Sequence, residues 1–188
     1  MKTVFVDVDT QIDFLFPAGA LYVPGGERLL PALARLNRFA EAQGIPLIST
    51  TDAHAENDPE FRQWPPHCVA GTAGQSKPCE TLLANRVTLG SSIEVAPQVI
   101  VEKQALDVFT NPDFAALLER LAAGRYVVYG VATDYCVRCA ISGLLGTGRK
   151  VALVTDAIAA VNDEDGARTL AEFTARGGSL TTVADVTD

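Results

Sequence analysis

The stretch Tyr126-Val127-Val128-Tyr129-Gly130-Val131, followed by Ala132-Thr133-Asp134-Tyr135-Cys136-Val137, decides the fold. Its first half is a near-continuous apolar run rich in β-branched and aromatic residues, the pattern of a strand buried on both faces. Its second half is a short polar turn leading into a helical pattern over Asp134–Leu145. The same unit recurs along the chain. Lys2–Val8, Leu47–Thr51, Val99–Val101 and Val151–Val154 read as further strands, and Glu27–Gln43, Pro112–Ala123 and Asp163–Arg176 as helices. Alternating strands and helices with apolar strands predict an α/β class: a three-layer α/β/α sandwich around a mostly parallel sheet. No repeat, low-complexity tract or linker divides the chain, so residues 1–188 read as one domain.

The composition fits that class. With 188 residues, 48% of them hydrophobic and 20% charged, the chain can bury roughly two thirds of its unfolded surface. Its 15 Lys and Arg against 23 Asp and Glu give a formal net charge of -8, which argues against nucleic acid or an anionic membrane as the main partner. A small molecule is the expected ligand. The apolar start Val4-Phe5-Val6 meets Asp7 too early for a signal peptide, and no apolar run reaches the length of a membrane span. The expected compartment is the cytoplasm. Cys68, Cys79, Cys136 and Cys139 are therefore read as reduced thiols in a chain with little need of disulfides.

In open α/β sheets ligands bind beyond the carboxyl ends of the strands. The residues at those ends here are polar: Asp9, Gln11 and Asp13; Asp52 and His54; Lys103; and Thr133, Asp134 and Cys136. The long irregular segment from Asp52 to Cys79 contains Pro59, Pro65, Pro66 and Pro78, and loops of that length are usually functional.

Cys136 falls at the start of a helix, where unpaired N–H groups and the positive end of the helix dipole favour a thiolate and offer an oxyanion site. A buried, inert cysteine is the plain alternative. Asp13 beyond the first strand could take the thiol proton, and Lys103 could hold carboxylate and thiolate together. Cys136 and Cys139 also form a lone C-x-x-C, which fits a redox pair or half of a zinc site. Cys68 and Cys79, eleven positions apart, supply no second pair. Asp52-Ala53-His54 sets two metal-capable side chains on one side of an extended segment, and His67 completes the chain's two histidines within the same loop. Two His and one carboxylate suit Zn²⁺, Fe²⁺ or Mn²⁺ with positions left open. The acidic run Asn162-Asp163-Glu164-Asp165 begins a helix, and capping accounts for it.

These residues resemble the isochorismatase-like cysteine hydrolases, and among them the nicotinamidases (pyrazinamidases). The resemblance rests on Asp9-Thr10-Gln11-Ile12-Asp13-Phe14, Val23-Pro24-Gly25-Gly26, Asp52-Ala53-His54, Trp64 through Thr72, Glu102-Lys103, and Gly130 through Val137. It implies a triad of Asp13, Lys103 and Cys136, with Cys136 as nucleophile and Asp13 as acid and base. It implies a cis peptide between Val131 and Ala132 and an oxyanion hole from the N–H groups of Ala132 and Cys136. It further implies a divalent metal, usually zinc, on Asp52, His54 and His67, and a substrate ring walled by Phe14, Trp64 and Tyr135. The implied activity is deamidation of nicotinamide to nicotinic acid and ammonia through a thioester, in an enzyme that forms a homo-oligomer. Gln104–Asn111 and Ala70 depart from the nicotinamidase pattern. A second substrate class therefore stands beside nicotinamide: another small amide of ureido, carbamoyl or maleamic type. A thiol redox or metal-buffering protein using Cys136 and Cys139 is the reading from a different functional class.

Overall fold

The computed structural model describes residues 1–90 and 96–188. Among the described residues seven strands form one sheet: β1 (Thr3–Val8), β2 (Leu47–Asp52), β3 (Arg86–Thr88), β4 (Gln98–Lys103), β5 (Arg125–Val131), β6 (Lys150–Ala159) and β7 (Ser179–Thr181). Their order is β3-β4-β2-β1-β5-β6-β7, and every pairing is parallel. The helices are α1 (Ile12–Leu15), α2 (Leu30–Ala42), α3 (Phe114–Leu121), α4 (Cys136–Gly146), α5 (Asp163–Ala175) and α6 (Val183–Thr187).

Alternation along β1 sorts the two cores. Val4, Val6 and Val8 face one layer with Phe114, Leu117, Val137, Ile141 and Leu144 of α3 and α4. Phe5 faces the other, with Leu33, Leu36 and Ala40 of α2 and Val183 of α6. The predicted three-layer sandwich is thus realised. β1 sits where the order reverses, with β2 on one side and β5 on the other, the crevice at which open parallel sheets bind ligands.

The differences from the expected elements are local. The helix read over Glu27–Gln43 is a 3-10 turn at Gly26–Leu29 followed by α2. β6 runs ten residues, well past Val154. The three-residue edge strands β3 and β7 escape the sequence reading because so short a segment has no period to detect. Among the described residues no helix is long and apolar enough to cross a membrane.

A buried ion pair anchors the returning end of the Asp52–Cys79 segment. Lys77 Nζ lies 3.0 Å from Asp7 Oδ2, and Asp7 also accepts from Thr10 Oγ1 at 2.8 Å and from Asn37 and Ser49 at 3.2 Å. A carboxylate with no solvent exposure needs such partners.

Gly130 in β5 leaves no room for a side chain beside β1. Its φ is +119°, and a Cβ there would lie 2.1 Å from the Val8 carbonyl oxygen in the neighbouring central strand. Gly130→Ala is expected to destabilise the protein by at least about 3 kcal/mol, because a strained φ and a backbone clash combine. Urea unfolding would check this, and an unchanged midpoint would show that the strands part without cost.

Candidate active site

Four strand ends meet at the crevice. Asp9 directly follows β1, Asp52 ends β2, Lys103 ends β4 and Cys136 opens α4 after β5. Asp9 has φ 48°, a left-handed turn that Asp tolerates better than most residues. Its N–H donates to the Thr50 carbonyl at 3.1 Å, and Thr50 Oγ1 donates to Asp9 Oδ1. Gln11 fixes Asp52 from both sides: Gln11 Oε1 accepts from the Asp52 N–H at 2.7 Å, and Gln11 Nε2 donates to the Asp52 carbonyl at 2.8 Å.

Lys103 is the centre of the cluster. Its ammonium donates to Asp52 Oδ1, lies 2.9 Å from Asp9 Oδ2, and stands 3.6 Å from Cys136 Sγ. One oxygen of Asp9, one oxygen of Asp52 and the Cys136 sulfur all lie within 4.8 Å of one another. Although close to Lys103, Asp9 Oδ2 receives no aligned donor among the described residues.

Burial pushes the Cys136 thiol well above its ordinary range, with Lys103 opposing and Asp9 and Asp52 reinforcing the rise. Burial likewise raises Asp9, and Lys103 partly offsets it. For Lys103 burial acts downward, but Asp9, Cys136 and Asp52 overcome it and hold the ammonium charged. A proton passing from Cys136 to Asp9 therefore moves within one buried cluster without changing its net charge.

Asp13 is not part of this cluster. It lies on α1, where its carboxylate accepts from the Cys68 N–H at 2.7 Å and the Ala20 N–H at 2.9 Å. A Cβ on Gly74 would collide with it at 2.1 Å, so the carboxylate is packed as a loop clamp. The structure thus corrects the expected triad: Asp9, four residues earlier, occupies the position beside Lys103 and Cys136. The signal was present, since Asp9 is the first residue past the strand, whereas Asp13 lies beyond a turn into a helix.

Ala132 and Cys136 border the same crevice. The peptide between Val131 and Ala132 is cis, as the resemblance implied. The first residue of a helix has no intrahelical partner for its N–H, which leaves that of Cys136 available at the sulfur's own position.

The metal-capable residues also converge. Asp52 Oδ2 lies 3.8 Å from His54 Nε2 and 4.0 Å from His67 Nε2. A tetrahedral shell with bonds near 2.0–2.2 Å spans about 3.4 Å between donors, so the two Asp52–His separations need close by only about half an ångström. Both imidazoles have their other nitrogen engaged, His54 Nδ1 with Asp58 Oδ2 at 3.0 Å and His67 Nδ1 with the Pro65 carbonyl at 2.8 Å. Those partners accept only, which directs the Nε2 lone pairs into the common space. His54 Nε2 is buried with no hydrogen-bond partner among the described residues, as expected of a ligand atom. With no cation present, Asp52 beside it raises the His54 pKa to about 9 against the effect of burial, and Asp58 and Glu60 add to the rise. Donor type, spacing and charge all fit a divalent cation.

Phe14, Trp64 and Tyr135 line the cleft above Cys136, with the Trp64 and Tyr135 rings edge to face at 5.4 Å. Leu21, Tyr22, Leu106 and Val161, which the sequence reading did not single out, also line it. They come from loops, where no periodicity marks them. Cys139 lies one turn into α4, half-buried, and all four cysteines are free thiols.

The chain is similar to known proteins over nearly its whole length. The nicotinamidase of Escherichia coli (strain K12) is 28% identical over 205 residues, covering 95% of this chain and 93% of its own. The pyrazinamidase of Pyrococcus horikoshii, solved in complex with zinc, superposes with a TM-score of 0.83 at 32% identity over 97% of this chain and 99% of its own. PnC1 from L. infantum, solved in complex with nicotinate, gives a TM-score of 0.82 at 28% identity over 97% and 93%. The isochorismatase domain matches residues 3–185. With nearly the whole chain matched, this protein belongs to the isochorismatase domain family.

Proposed function

We propose that this chain, an amidohydrolase acting on the C–N bond of a carboxamide, deamidates nicotinamide to nicotinic acid and ammonia through a thioester on Cys136. The carrying observation is the buried cluster of Asp9, Lys103 and Cys136 beside an Asp52, His54 and His67 set that fits a divalent cation. Asp9 takes the thiol proton, and Cys136 Sγ attacks the carboxamide carbon. The N–H groups of Ala132 and Cys136 receive the oxyanion. Asp9 returns its proton to the departing nitrogen, and ammonia leaves. Water then enters, gives a proton to Asp9 and displaces the sulfur, so that nicotinic acid departs and the thiol reforms. Lys103 holds the two anionic partners together throughout.

Asp52, His54 and His67 would hold the ion, most simply Zn²⁺ with Fe²⁺ or Mn²⁺ as other occupants, and when bound it supplies a Lewis-acidic position suited to a pyridine nitrogen. Phe14, Trp64 and Tyr135 flank a planar ring. The proposal carries forward a cytoplasmic homo-oligomer from the sequence reading. The redox alternative has less support: the groups drawn around the Cys136 sulfur are Lys103, Asp9 and Asp52, and Cys136 and Cys139 are both free thiols.

The test is ammonia release from nicotinamide by purified protein in a non-chelating buffer containing zinc or manganese. Turnover of about 1 s⁻¹ or faster is expected. Dialysis against a chelator should lower it at least tenfold, and adding the metal back should restore it. Absence of release from folded, metal-loaded protein would reject nicotinamide and move a ureido, carbamoyl or maleamic-type amide to first place.

A further inference from the structure

A carboxylate outside the candidate ligand set engages the second ring nitrogen of His54. Asp58 Oδ2 lies 3.0 Å from His54 Nδ1. Its other oxygen, Oδ1, accepts from the Glu60 N–H at 2.9 Å and caps the 3-10 turn Pro59–Arg62. That turn places the Phe61 ring edge-on to both histidines, 5.4 Å from His54 and 5.7 Å from His67. Through the bond from the Trp64 N–H to the Glu60 carbonyl at 3.2 Å, it also leads into the Trp64 wall. Asp58 therefore spans two structures at once, the ring of a candidate ligand and the backbone of the aromatic wall.

We infer that Asp58 is a positioning residue for the metal site. By accepting from Nδ1 it keeps the proton on that nitrogen, leaves the buried and unpartnered Nε2 as the donor, and ties the ring's orientation to the Pro59–Arg62 turn. This inference rests on the metal reading above. The physical logic is that an imidazole ligand needs its second nitrogen held by an acceptor, since the wrong tautomer presents a proton to the ion.

Asp58→Asn separates this role from simple capping. The amide is isosteric but has one oxygen, so it can cap the Glu60 N–H or accept from His54 Nδ1, not both. With the oxygen on the cap, the NH₂ group faces Nδ1 and drives the imidazole proton onto Nε2. Removing such a partner typically weakens metal binding 10–100-fold.

The experiment is Zn²⁺ titration of the metal-stripped full chain in competition with a chromophoric chelator. It compares wild type, Asp58→Asn and Asp58→Ala, alongside thermal unfolding of each in the metal-free form. The expected result is cooperative unfolding in all three with zinc affinity lowered about 10-fold or more in both variants. Equal affinity in wild type and Asp58→Asn would overturn the inference and leave the metal reading intact. A wild-type protein that binds no zinc would overturn the metal reading itself. If neither variant folds, nitrogen NMR of the zinc-loaded wild type decides. The chain has only two histidines, so both rings can be assigned. His54 should carry its proton on Nδ1 and zinc on Nε2, and the reverse arrangement would refute the role of Asp58.

Discussion

Cys136→Ala is expected to reduce amide turnover by at least about 10⁴-fold, the scale on which covalent catalysts lose activity when the nucleophile is removed. The loss should appear in kcat, with substrate affinity close to wild type, because Phe14, Trp64 and the metal-capable residues stand on other elements. Cys136 is 6% exposed and packs at the head of α4. Truncating one sulfur there should cost about 1 kcal/mol of stability, well short of unfolding. A second measurement isolates the covalent step. Wild-type protein quenched in acid during turnover should gain the mass of one acyl group less a proton, confined to the peptide containing Cys136. The alanine variant should gain none. Wild-type turnover in Cys136→Ala would remove the sulfur from the mechanism, and an acyl group found on Cys68, Cys79 or Cys139 would move the nucleophile.

The other cysteines make that outcome informative. Cys68 is fully buried, with burial and three nearby carboxylates, Asp52, Asp13 and Asp9, pushing its thiol far upward. Its N–H instead holds Asp13. Cys139 shares α4 with Cys136, yet burial raises it as well, with Asp107 adding to the rise. Among the described residues, Cys136 is the cysteine with an ammonium within 4 Å of its sulfur and a carboxylate oxygen without an aligned donor beside it.

Much of this arrangement is legible in the sequence, for a physical reason. Parallel strands buried on both faces must be apolar along their length, so the point where each run turns polar marks the sheet's carboxyl edge. Val8 before Asp9 and Val131-Ala132 before Thr133 mark it. The metal-capable set is legible because histidine is rare in this chain and both copies sit beside Asp52. What stays hidden is whatever depends on a loop's path. Nothing in Lys77's neighbours announces that it pairs with Asp7, far earlier in the chain. Leu106 and Val161 reach the cleft from separate loops. Asp58 looks like an ordinary cap before Pro59, and its contact with His54 appears only in three dimensions.

The choice between Asp9 and Asp13 is the sharpest case, and it yields the second large prediction. Both carboxylates stand in one short motif, and both follow a strand closely enough to be credible bases. The backbone separates them. Asp9 turns at φ 48° on the sheet edge with Oδ2 at 2.9 Å from Lys103, whereas Asp13 has passed into α1 and spends its oxygens on two backbone N–H groups. Asp9→Asn should therefore lower kcat/KM by about 10²–10⁴-fold, the usual contribution of a positioned base and acid. It should also abolish the acid limb of the pH–rate profile. In wild type that limb should lie above the ordinary carboxylate range, since burial raises Asp9 and activity requires its ionised form.

Asp13→Asn should behave oppositely. Its amide can serve only one of the Cys68 and Ala20 N–H groups and turns a donor toward the other. Stability should fall by about 1–3 kcal/mol, while kcat per folded molecule stays within about tenfold of wild type. The comparison is read by kcat/KM against pH together with urea unfolding of all three proteins. If Asp13→Asn, still folded, lost activity a thousandfold while Asp9→Asn kept it, the proton would travel by a route other than the Asp9, Lys103 and Cys136 cluster. The stability readout guards against confusing a broken clamp with a lost base, because only the clamp should move the unfolding midpoint without moving the pH profile.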